Sequence, residues 1–314
     1  HLLDSHPIHV TTLQDMEQLL TQVSEGTTTR STTTRPIPED RQQPAKNPPT
    51  GSMVQRTVLP VGIPGSRWQR KKRPQLAWMG ERIKQVLQSH PEYGQRPLEI
   101  LDIGGGKGSL ANYLGRTMQD QVRVHVVDIC EGAVANGASR AKRWNLPIEF
   151  SLADASQHLN LTADVVVALH ACGHLSDVAL AHAMQRQAGF VIVPCCFHSN
   201  SHLQVPLIDT RTGTIGTEPK KVQWTVPEWL GVPTQDWEAL TLLAEVQSDL
   251  TLASQATAVI CALRARAVAN FVVEQEEQQP TIPDRGNTER IISIQRFPIE
   301  FSTRNTVLVG QCRR

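Results

Sequence analysis

Short apolar stretches alternate with amphipathic stretches over the middle of the chain. The apolar stretches predict buried strands at residues 98–103, 122–128, 148–153, 163–170 and 190–194. Apolar residues at helical spacing predict helices at 75–89, 109–117, 132–144 and 176–187. Short strands that alternate with helices of this length are typical of a parallel sheet in an α/β protein.

The last part of the chain continues this pattern less regularly. It predicts helices at 237–245 and 253–273, a polar surface loop at 274–286, and strands at 290–297 and 305–311. The last two strands are expected to form a closing antiparallel pair. The sequence therefore predicts a Rossmann-like α/β domain at 66–314, with a mostly parallel seven-stranded sheet and helices on both faces.

The first 65 residues are expected to form a disordered or linker segment. A short helical pattern places Leu13, Met16 and Leu19 on one face. The residues that follow are rich in Thr, Pro, Gln and Gly, and 27–35 contains only Thr, Arg and Ser. A segment of this composition buries too little apolar surface to offset its ordering entropy.

Composition and charge narrow the class of protein. Hydrophobic residues make up 39% of the 314 residues and charged residues 19%, as in a globular protein. The formal net charge is +1, so any binding of nucleic acid would depend on local basic clusters. The six cysteines are too sparse for a small disulfide framework, and no apolar run reaches the roughly 18 residues that span a membrane. We expect an intracellular, cytoplasmic protein without a membrane partner. Organelle targeting stays open because the sequence begins at His1.

A glycine-rich loop follows the first predicted strand. Asp102 lies in the last part of this strand, and Gly104, Gly106 and Gly108 alternate before the next helix. Glycine lets the backbone turn sharply and approach a ligand, and the helix N-terminus offers unpaired N–H groups. The spacing D-x-G-x-G-x-G resembles motif I of class I methyltransferases, and this resemblance implies that the loop binds the methionine part of S-adenosylmethionine (SAM).

Two other ligands fit the loop less well. A dinucleotide-binding G-x-G-x-x-G motif would need Gly or Ala where Ser109 stands, which disfavours a nicotinamide-dependent oxidoreductase. A phosphate-binding P-loop would need Ser or Thr after Lys107, where this chain has Gly108. SAM is therefore the expected cofactor.

Acidic residues follow the next two strands. Asp128 ends the second strand and Asp154 follows the third. Ligands of open α/β sheets bind at the carboxyl ends of the strands, where the carboxylate of Asp128 can accept hydrogen bonds from ribose hydroxyls. The resemblance implies that Asp154 accepts a hydrogen bond from the adenine amino group. The expected cofactor-binding residues are Asp102, Gly104, Gly106, Gly108, Asp128, Asp154, Ala155 and His170.

Histidines and cysteines follow the fourth and fifth strands, which are neighbours in a methyltransferase sheet. His170 and Cys172 follow the fourth strand, and Cys195, Cys196 and His198 follow the fifth. These side chains are expected to lie close together beside the methyl group.

Three interpretations of these residues stay open. His170 or His198 could orient or deprotonate the acceptor. The cluster could bind zinc, although its spacing differs from that of paired C-x-x-C motifs. Cys195 could act as a nucleophile on a pyrimidine. We expect His170, Cys195 and His198 to be the catalytic residues, with His170 as the first candidate for a general base, and we expect no metal.

Several segments together resemble one branch of methyltransferase-like proteins, over about residues 70–314. The branch includes the methyltransferase domain of the glutathione S-transferase C-terminal-domain-containing protein and relatives of the tRNA 2′-O-methyltransferase group. The resemblance implies an enzyme that methylates RNA, either tRNA or rRNA. Residues 203–237 have no counterpart in this branch, so the acceptor does not follow from the fold. The segments that carry the resemblance are 71–72, 102–108, 169–173, 194–197 and 302–310.

Basic residues before the first helix are the candidates for RNA contact. Trp68 could stack on a base, and Lys220, Lys221, Trp224 and Trp229 could form a second patch. The alternative is a solvated basic segment. The alternative function is a non-catalytic SAM-fold module that binds RNA or a protein. The residues expected to contact phosphates are Arg67, Arg70, Lys71, Lys72 and Arg73.

Overall fold

The computed structural model describes residues 8–10, 68–209, 220–278, 289–298 and 305–313. Most strands in these ranges belong to one eight-stranded sheet. The strands are β1 Ile8–Val10, β2 Leu98–Ile103, β3 Val122–Asp128, β4 Ile148–Leu152, β5 Val165–Ala171, β6 Gly189–Pro194, β7 Val205–Asp209, β8 Lys220–Trp224, β9 Glu289–Arg296 and β10 Thr306–Arg313. The helices are α1 Arg73–Gln88, α2 Ser109–Thr117, α3 Glu131–Arg143, α4 Leu175–Gln185, α5 Val226–Leu230, α6 Thr234–Ala244 and α7 Leu250–Gln278, and a π-helical turn, Trp68–Lys72, precedes α1.

The order of the strands creates a crevice at one edge of the sheet. The order is β1-β9-β10-β6-β5-β2-β3-β4, and β4, β3, β2, β5 and β6 run parallel. β10 is antiparallel to β6 and to β9, which confirms the predicted closing pair. The chain progresses outward from β2 to β4 and then returns to the other side of β2 at β5. Ligands bind at such a topological switch point, at the carboxyl ends of the strands.

The predicted seven-stranded α/β sheet with helices on both faces is confirmed, and the structure differs from the prediction in three places. Ile8–Val10, within the predicted linker, adds an eighth strand to β9. The irregular region after 203 contains the two-stranded β7–β8 sheet and α5. α7 continues to Gln278, past the predicted start of a polar loop at 274. The predicted Thr-rich linker and N-terminal helix, Arg67 and residues 302–304 lie outside the described residues.

The core lies on both faces of the sheet because successive side chains of a strand point to opposite sides. In β2, Leu98 and Ile100 pack on the face covered by α1 and α2, whereas Leu101 and Ile103 pack on the face covered by α4 and α7. Each of these side chains is at most 1% exposed. Burial on both faces explains why the central strands read as continuous apolar stretches.

Helix α7 passes across one face of the sheet and carries a buried charge. The guanidinium of Arg264 is fully buried and donates hydrogen bonds to the Asp177 carboxylate, at 2.9 Å from Nε and 2.5 Å from Nη2. Trp229 Nε1 also donates to Asp177, at 3.1 Å, and Arg264 Nη2 donates to the carbonyl of Gly173, at 3.3 Å. This network connects α7 to the loop that follows β5.

Within the part of the chain that the structure describes, one helical segment is long and apolar enough to cross a membrane. It is Leu250–Phe271 of α7, with a mean hydropathy of 1.2. Of that segment, 61% is buried inside the protein, and its Arg264 is paired with Asp177. These features are those of a core helix of this fold.

Candidate active site

The glycine loop between β2 and α2 has a backbone that only glycine adopts without strain. Gly104, Gly106 and Gly108 have φ values of +67°, +57° and +69°. A Cβ at Gly104 would lie 2.6 Å from Leu175, and one at Gly108 would lie 2.6 Å from the Phe150 ring. A Cβ at Gly106 would instead point into open space, with its nearest atom, an Asp128 oxygen, 3.9 Å away. Two glycines thus shape the loop, and Gly106 leaves room for a ligand.

Asp128 lies beside this opening, at the carboxyl end of β3. Its carboxylate accepts hydrogen bonds from the N–H groups of Gly106 and Cys130, each at 2.8 Å. Each carboxylate oxygen can accept a further hydrogen bond. Asp128 and Gly106, two of the predicted cofactor-binding residues, are therefore in contact in the fold.

Two exposed apolar side chains next to Asp128 were missed by the sequence analysis. Ile129 is 72% exposed, and Leu152 at the end of β4 is 53% exposed. Leu152 is the register partner of Asp128 across the β3–β4 pair. An apolar group of a ligand that bound above Asp128 would cover both side chains and remove their apolar surface from water.

Asp154 lies in the turn after β4 and is exposed. One carboxylate oxygen accepts hydrogen bonds from the N–H and the hydroxyl of Ser156, at 2.9 and 2.7 Å. The adjacent Ala155 is buried, and its carbonyl accepts a hydrogen bond from His182. The structure thus holds Asp154 in place at the correct edge of the sheet, and its contact with adenine stays a prediction.

Asp102 is buried beneath the loop. It is 1% exposed, and neither oxygen of its carboxylate has a hydrogen-bond partner among the residues that the structure describes. Burial raises the pKa of this carboxyl to about 7, against the opposing effect of the charge on Lys72. Lys72, which is predicted from the sequence to contact RNA, has a partly buried side chain that interacts electrostatically with Asp102 and Cys195. Lys72 therefore also borders the site.

The raised pKa of Asp102 predicts a pH-dependent stability. A carboxyl whose pKa is higher in the folded protein than in the unfolded chain favours folding while it is protonated, and this contribution is lost as the pH rises through about 7. Asn does not titrate, so Asp102→Asn lacks this pH-dependent loss. The free energy of unfolding of the variant, relative to that of the wild type, should therefore increase by roughly 2–3 kcal/mol between about pH 5 and about pH 8. Urea unfolding of both proteins without cofactor measures this difference.

Asp164 provides the control for this measurement. Burial raises the pKa of its carboxyl, but hydrogen bonds from Arg96 and from the N–H of Glu99 outweigh burial and lower it. Asp164→Asn should therefore lower the stability at both pH values, with a difference between them of less than about 1 kcal/mol from the contact of Asp164 with His90 at 3.4 Å. An Asp102→Asn difference that changes with pH no more than that of Asp164→Asn would contradict the assignment of a protonated Asp102.

His170 occupies a bulge at the end of β5. Leu169 pairs with Val193 and Ala171 with Pro194, so His170 is left out of the ladder, with φ at +65°. Its Nε2 lies 3.0 Å from Oε1 of Gln75. Burial, and then the charge on Lys72, lower the pKa of His170 to about 4, so the ring is neutral at pH 7. A base is most effective with a pKa near the working pH, and His170 is therefore a weak base here.

The cysteines that follow β5 and β6 lie together, as predicted from their positions. Sγ of Cys172 lies 2.8 Å from Sγ of Cys195, and the sulfurs of Cys172, Cys195 and Cys196 all lie within 4.8 Å of one another. The hydrogen bond with Cys172 and burial raise the pKa of the Cys195 thiol. A thiol with a raised pKa is a poor nucleophile, which disfavours the interpretation of Cys195 as a nucleophile. His198 lies on the same loop and is exposed.

A search of known proteins gives the following similarities. The family model of a methyltransferase domain matches residues 71–202. No curated protein matches. Among solved structures, magnesium protoporphyrin IX methyltransferase from Synechocystis PCC 6803 with bound SAH is 12% identical, with 81% of this chain and 90% of that chain covered and a TM-score of 0.39.

Two other solved structures share a shorter region. TehB from Haemophilus influenzae is 17% identical over 36% of this chain and 39% of that chain, with a TM-score of 0.29. The tRNA (uracil-54, C5)-methyltransferase from Pyrococcus abyssi is 19% identical over 38% of this chain and 28% of that chain, with a TM-score of 0.30. The alignment thus spans less than half of the length of TehB and of the tRNA enzyme.

The family match covers the glycine loop and the strands around it. The strand order, the glycine loop and the acidic residue at the end of β3 coincide with the family match, which begins at Lys71 in the turn before α1 and continues past β6. Residues 71–202 therefore match the model of a methyltransferase domain and have a Rossmann-like α/β architecture. SAM stays the cofactor that the glycine loop and Asp128 predict.

Proposed function

We propose that the protein transfers the methyl group of SAM to RNA, either tRNA or rRNA. The open space at Gly106, beside the half-buried carboxylate of Asp128, carries the cofactor part of this proposal. A side chain would fill this space in any residue but glycine, and a ligand there would contact the loop backbone and the carboxylate together. The RNA part of the proposal rests on the resemblance of the sequence to relatives of the tRNA 2′-O-methyltransferase group.

Five residues would hold the cofactor. Asp128 would accept hydrogen bonds from the ribose hydroxyls. Ile129 and Leu152 would lie against the adenine ring, with Asp154 accepting from its amino group. Asp102, whose carboxylate has no hydrogen-bond partner in the described part of the chain, would pair with the ammonium of the methionine part. Bound SAM supplies an electrophilic methyl group.

The acceptor side of the site favours positioning over proton transfer. His170 is neutral at pH 7 and a weak base, and the Cys195 thiol has a raised pKa. An acceptor nitrogen with a free lone pair needs no base, only alignment with the methyl group. Among the residues predicted to be catalytic, His170 would orient such an acceptor through a hydrogen bond. His198, on the exposed side of the loop, would contact the RNA beyond the reacting group.

The basic turn before α1 supports RNA as the acceptor. Arg70 and Lys71 in this turn and Arg73 at the start of α1 are exposed, and Trp68 is 40% exposed. Lys72, in the same turn, interacts electrostatically with Asp102 and Cys195. The turn therefore lies where phosphates of an RNA bound at the crevice could contact its basic side chains, and a base could stack on Trp68.

The first experiment is a calorimetric titration with SAM. The wild type should bind, and Asp128→Ala should bind at least about tenfold more weakly because it loses two charge-assisted hydrogen bonds to the ribose. Asp120→Ala is the matched control, since Asp120 is an exposed acid that precedes the amino end of the same strand. Equal affinity of the two variants would contradict the assignment of Asp128.

Transfer of a labelled methyl group to cellular RNA fractions then tests the acceptor. Incorporation that requires both the protein and an RNA fraction would support the enzymatic proposal. SAM binding without transfer to any RNA, protein or small-molecule fraction would instead favour the non-catalytic binding module.

A further inference from the structure

The three thiols beyond β5 and β6 form a cluster that the proposed methyl transfer does not use. Cys195 is buried, and Cys172 and Cys196 are partly exposed. Their sulfurs lie within 4.8 Å of one another. In the part of the chain that the structure describes, these residues are the one group of His, Cys, Asp and Glu side chains with this proximity.

Backbone contacts hold the two cysteine-bearing loops together without help from the sulfurs. The N–H of Gly173 donates to the carbonyl of Cys196, and Asn200 Nδ2 donates to the carbonyl of Cys172, at 3.1 Å. Gly173, with φ at +55°, packs so closely on Ser199 that a Cβ would overlap its carbonyl. The buried Asp177–Arg264 pair supports the same loop from below. The sulfurs are therefore positioned by the fold, as the ligands of a metal site are.

We propose that Cys172, Cys195 and Cys196 form a binding site for a thiophilic divalent cation, with Zn²⁺ as the natural occupant. Zn–S bonds of about 2.3 Å in tetrahedral geometry set sulfur–sulfur separations of about 3.8 Å, so Sγ of Cys172 and Sγ of Cys195, which lie 2.8 Å apart, would separate by about 1 Å on binding. Three protein ligands leave the fourth position for water or another ligand. This proposal reverses the sequence-based expectation of no metal and does not require methyl transfer.

Charge balance fits this assignment. Each thiol loses a proton when it binds the cation, so three thiolates and one divalent cation carry a net charge of −1. The ammonium of Lys72 interacts electrostatically with Cys195 and would offset this charge.

A disulfide between Cys172 and Cys195 is the competing explanation for their 2.8 Å separation. That separation is longer than the roughly 2.05 Å of an S–S bond. A disulfide also uses only two sulfurs and does not account for Cys196, which the adjacent backbone holds in the same cluster. The three-sulfur arrangement therefore favours a metal.

The test measures metal binding by the reduced protein without SAM. Co²⁺ should bind in a 1:1 ratio with the release of protons and give an intense thiolate-to-metal charge-transfer band, and Zn²⁺ should then displace the Co²⁺. Cys172→Ala, Cys195→Ala and Cys196→Ala should each weaken binding by more than about tenfold, the lower end of what even outer-shell changes cost a metal site. Cys261→Ala, a buried thiol in α7, and Cys130→Ala, an exposed thiol, should bind Co²⁺ as the wild type does.

A second measurement uses only the wild type and so does not depend on the folding of variants. Zn²⁺ should protect Cys172, Cys195 and Cys196 from alkylation, as read by mass spectrometry, and leave Cys130 reactive. A reduced protein that gives no charge-transfer band and no protection would overturn the proposal. A Cys172–Cys195 disulfide that forms in air and is unaffected by Zn²⁺ would overturn it as well. Because SAM is absent from both assays, these outcomes are separate from a failure of the proposed methyl transfer.

Discussion

Asp177→Ala is expected to lower the free energy of unfolding by about 3–5 kcal/mol, the usual cost of removing one partner from a buried ion pair. Arg264 is fully buried, and Asp177 accepts two of its N–H groups as well as the indole N–H of Trp229. Without the carboxylate, the guanidinium keeps, among the described residues, only the 3.3 Å hydrogen bond to Gly173 and the rings of Phe197 and Trp237, about 6 Å away. Chemical denaturation of wild type and variant measures the loss.

The double variant Asp177→Leu with Arg264→Met separates the unpaired charge from general repacking. Apolar residues in place of both charges should recover most of the lost stability, because the cost of the single variant comes from a buried charge without its partner. A single variant within about 1 kcal/mol of the wild type would show that water reaches Arg264 in solution.

Gly106→Arg is expected to abolish SAM binding, with an affinity loss of more than about a hundredfold, or about 3 kcal/mol. The side chain would enter the open space that Gly106 leaves beside Asp128. Calorimetric titration with SAM measures the affinity, and circular dichroism confirms that the variant is folded.

Gly94→Arg is the matched control for backbone strain. Gly94 has φ at +80° and open space around a Cβ, as Gly106 does, but it lies in the turn that precedes β2, at the opposite end of that strand from the glycine loop. Both variants should lose about 1 kcal/mol of stability from the left-handed conformation. If Gly94→Arg reduced SAM affinity as much as Gly106→Arg, strain alone would explain the loss, and the cofactor would not lie at Gly106.

The elements that the sequence predicted well are those with a strong local pattern. The helix at 109–117 begins and ends at the predicted residues, and the central strands differ from prediction by at most two residues. Short, continuously apolar strands alternate with helices of amphipathic period, and this alternation is visible in the sequence. The spacing of Gly104, Gly106 and Gly108 is also distinctive. The sheet, the loop and the position of Asp128 were therefore accessible without coordinates.

The rest of the site depends on contacts between distant parts of the chain. Lys72 reads as one member of a basic run, and only the packing of α1 on the sheet brings it near Asp102. The exposure of Ile129 has no signal in the sequence, because an apolar residue after a strand is ordinarily buried. The bulge at His170 arises from the β5–β6 register, and burial together with the charge on Lys72 lowers the pKa of its ring. Ile8–Val10 joined the sheet through pairing with β9, which local composition does not encode.

The pairing of Asp177 with Arg264 also bears on where this domain can be cut. The stretch that matches the family model ends at 202, yet the counter-charge of its buried carboxylate lies 62 residues further on, in α7. Strand β6 belongs to the stretch that matches the family model, but it pairs on one side with β10, which lies beyond residue 202. A fragment that ended at residue 202 would expose the unpaired edge of β6. It would also leave the Asp177 carboxylate without its partner in an apolar interior. The smallest autonomous folding unit is therefore larger than the recognisable sequence signature, and it includes the C-terminal strand pair.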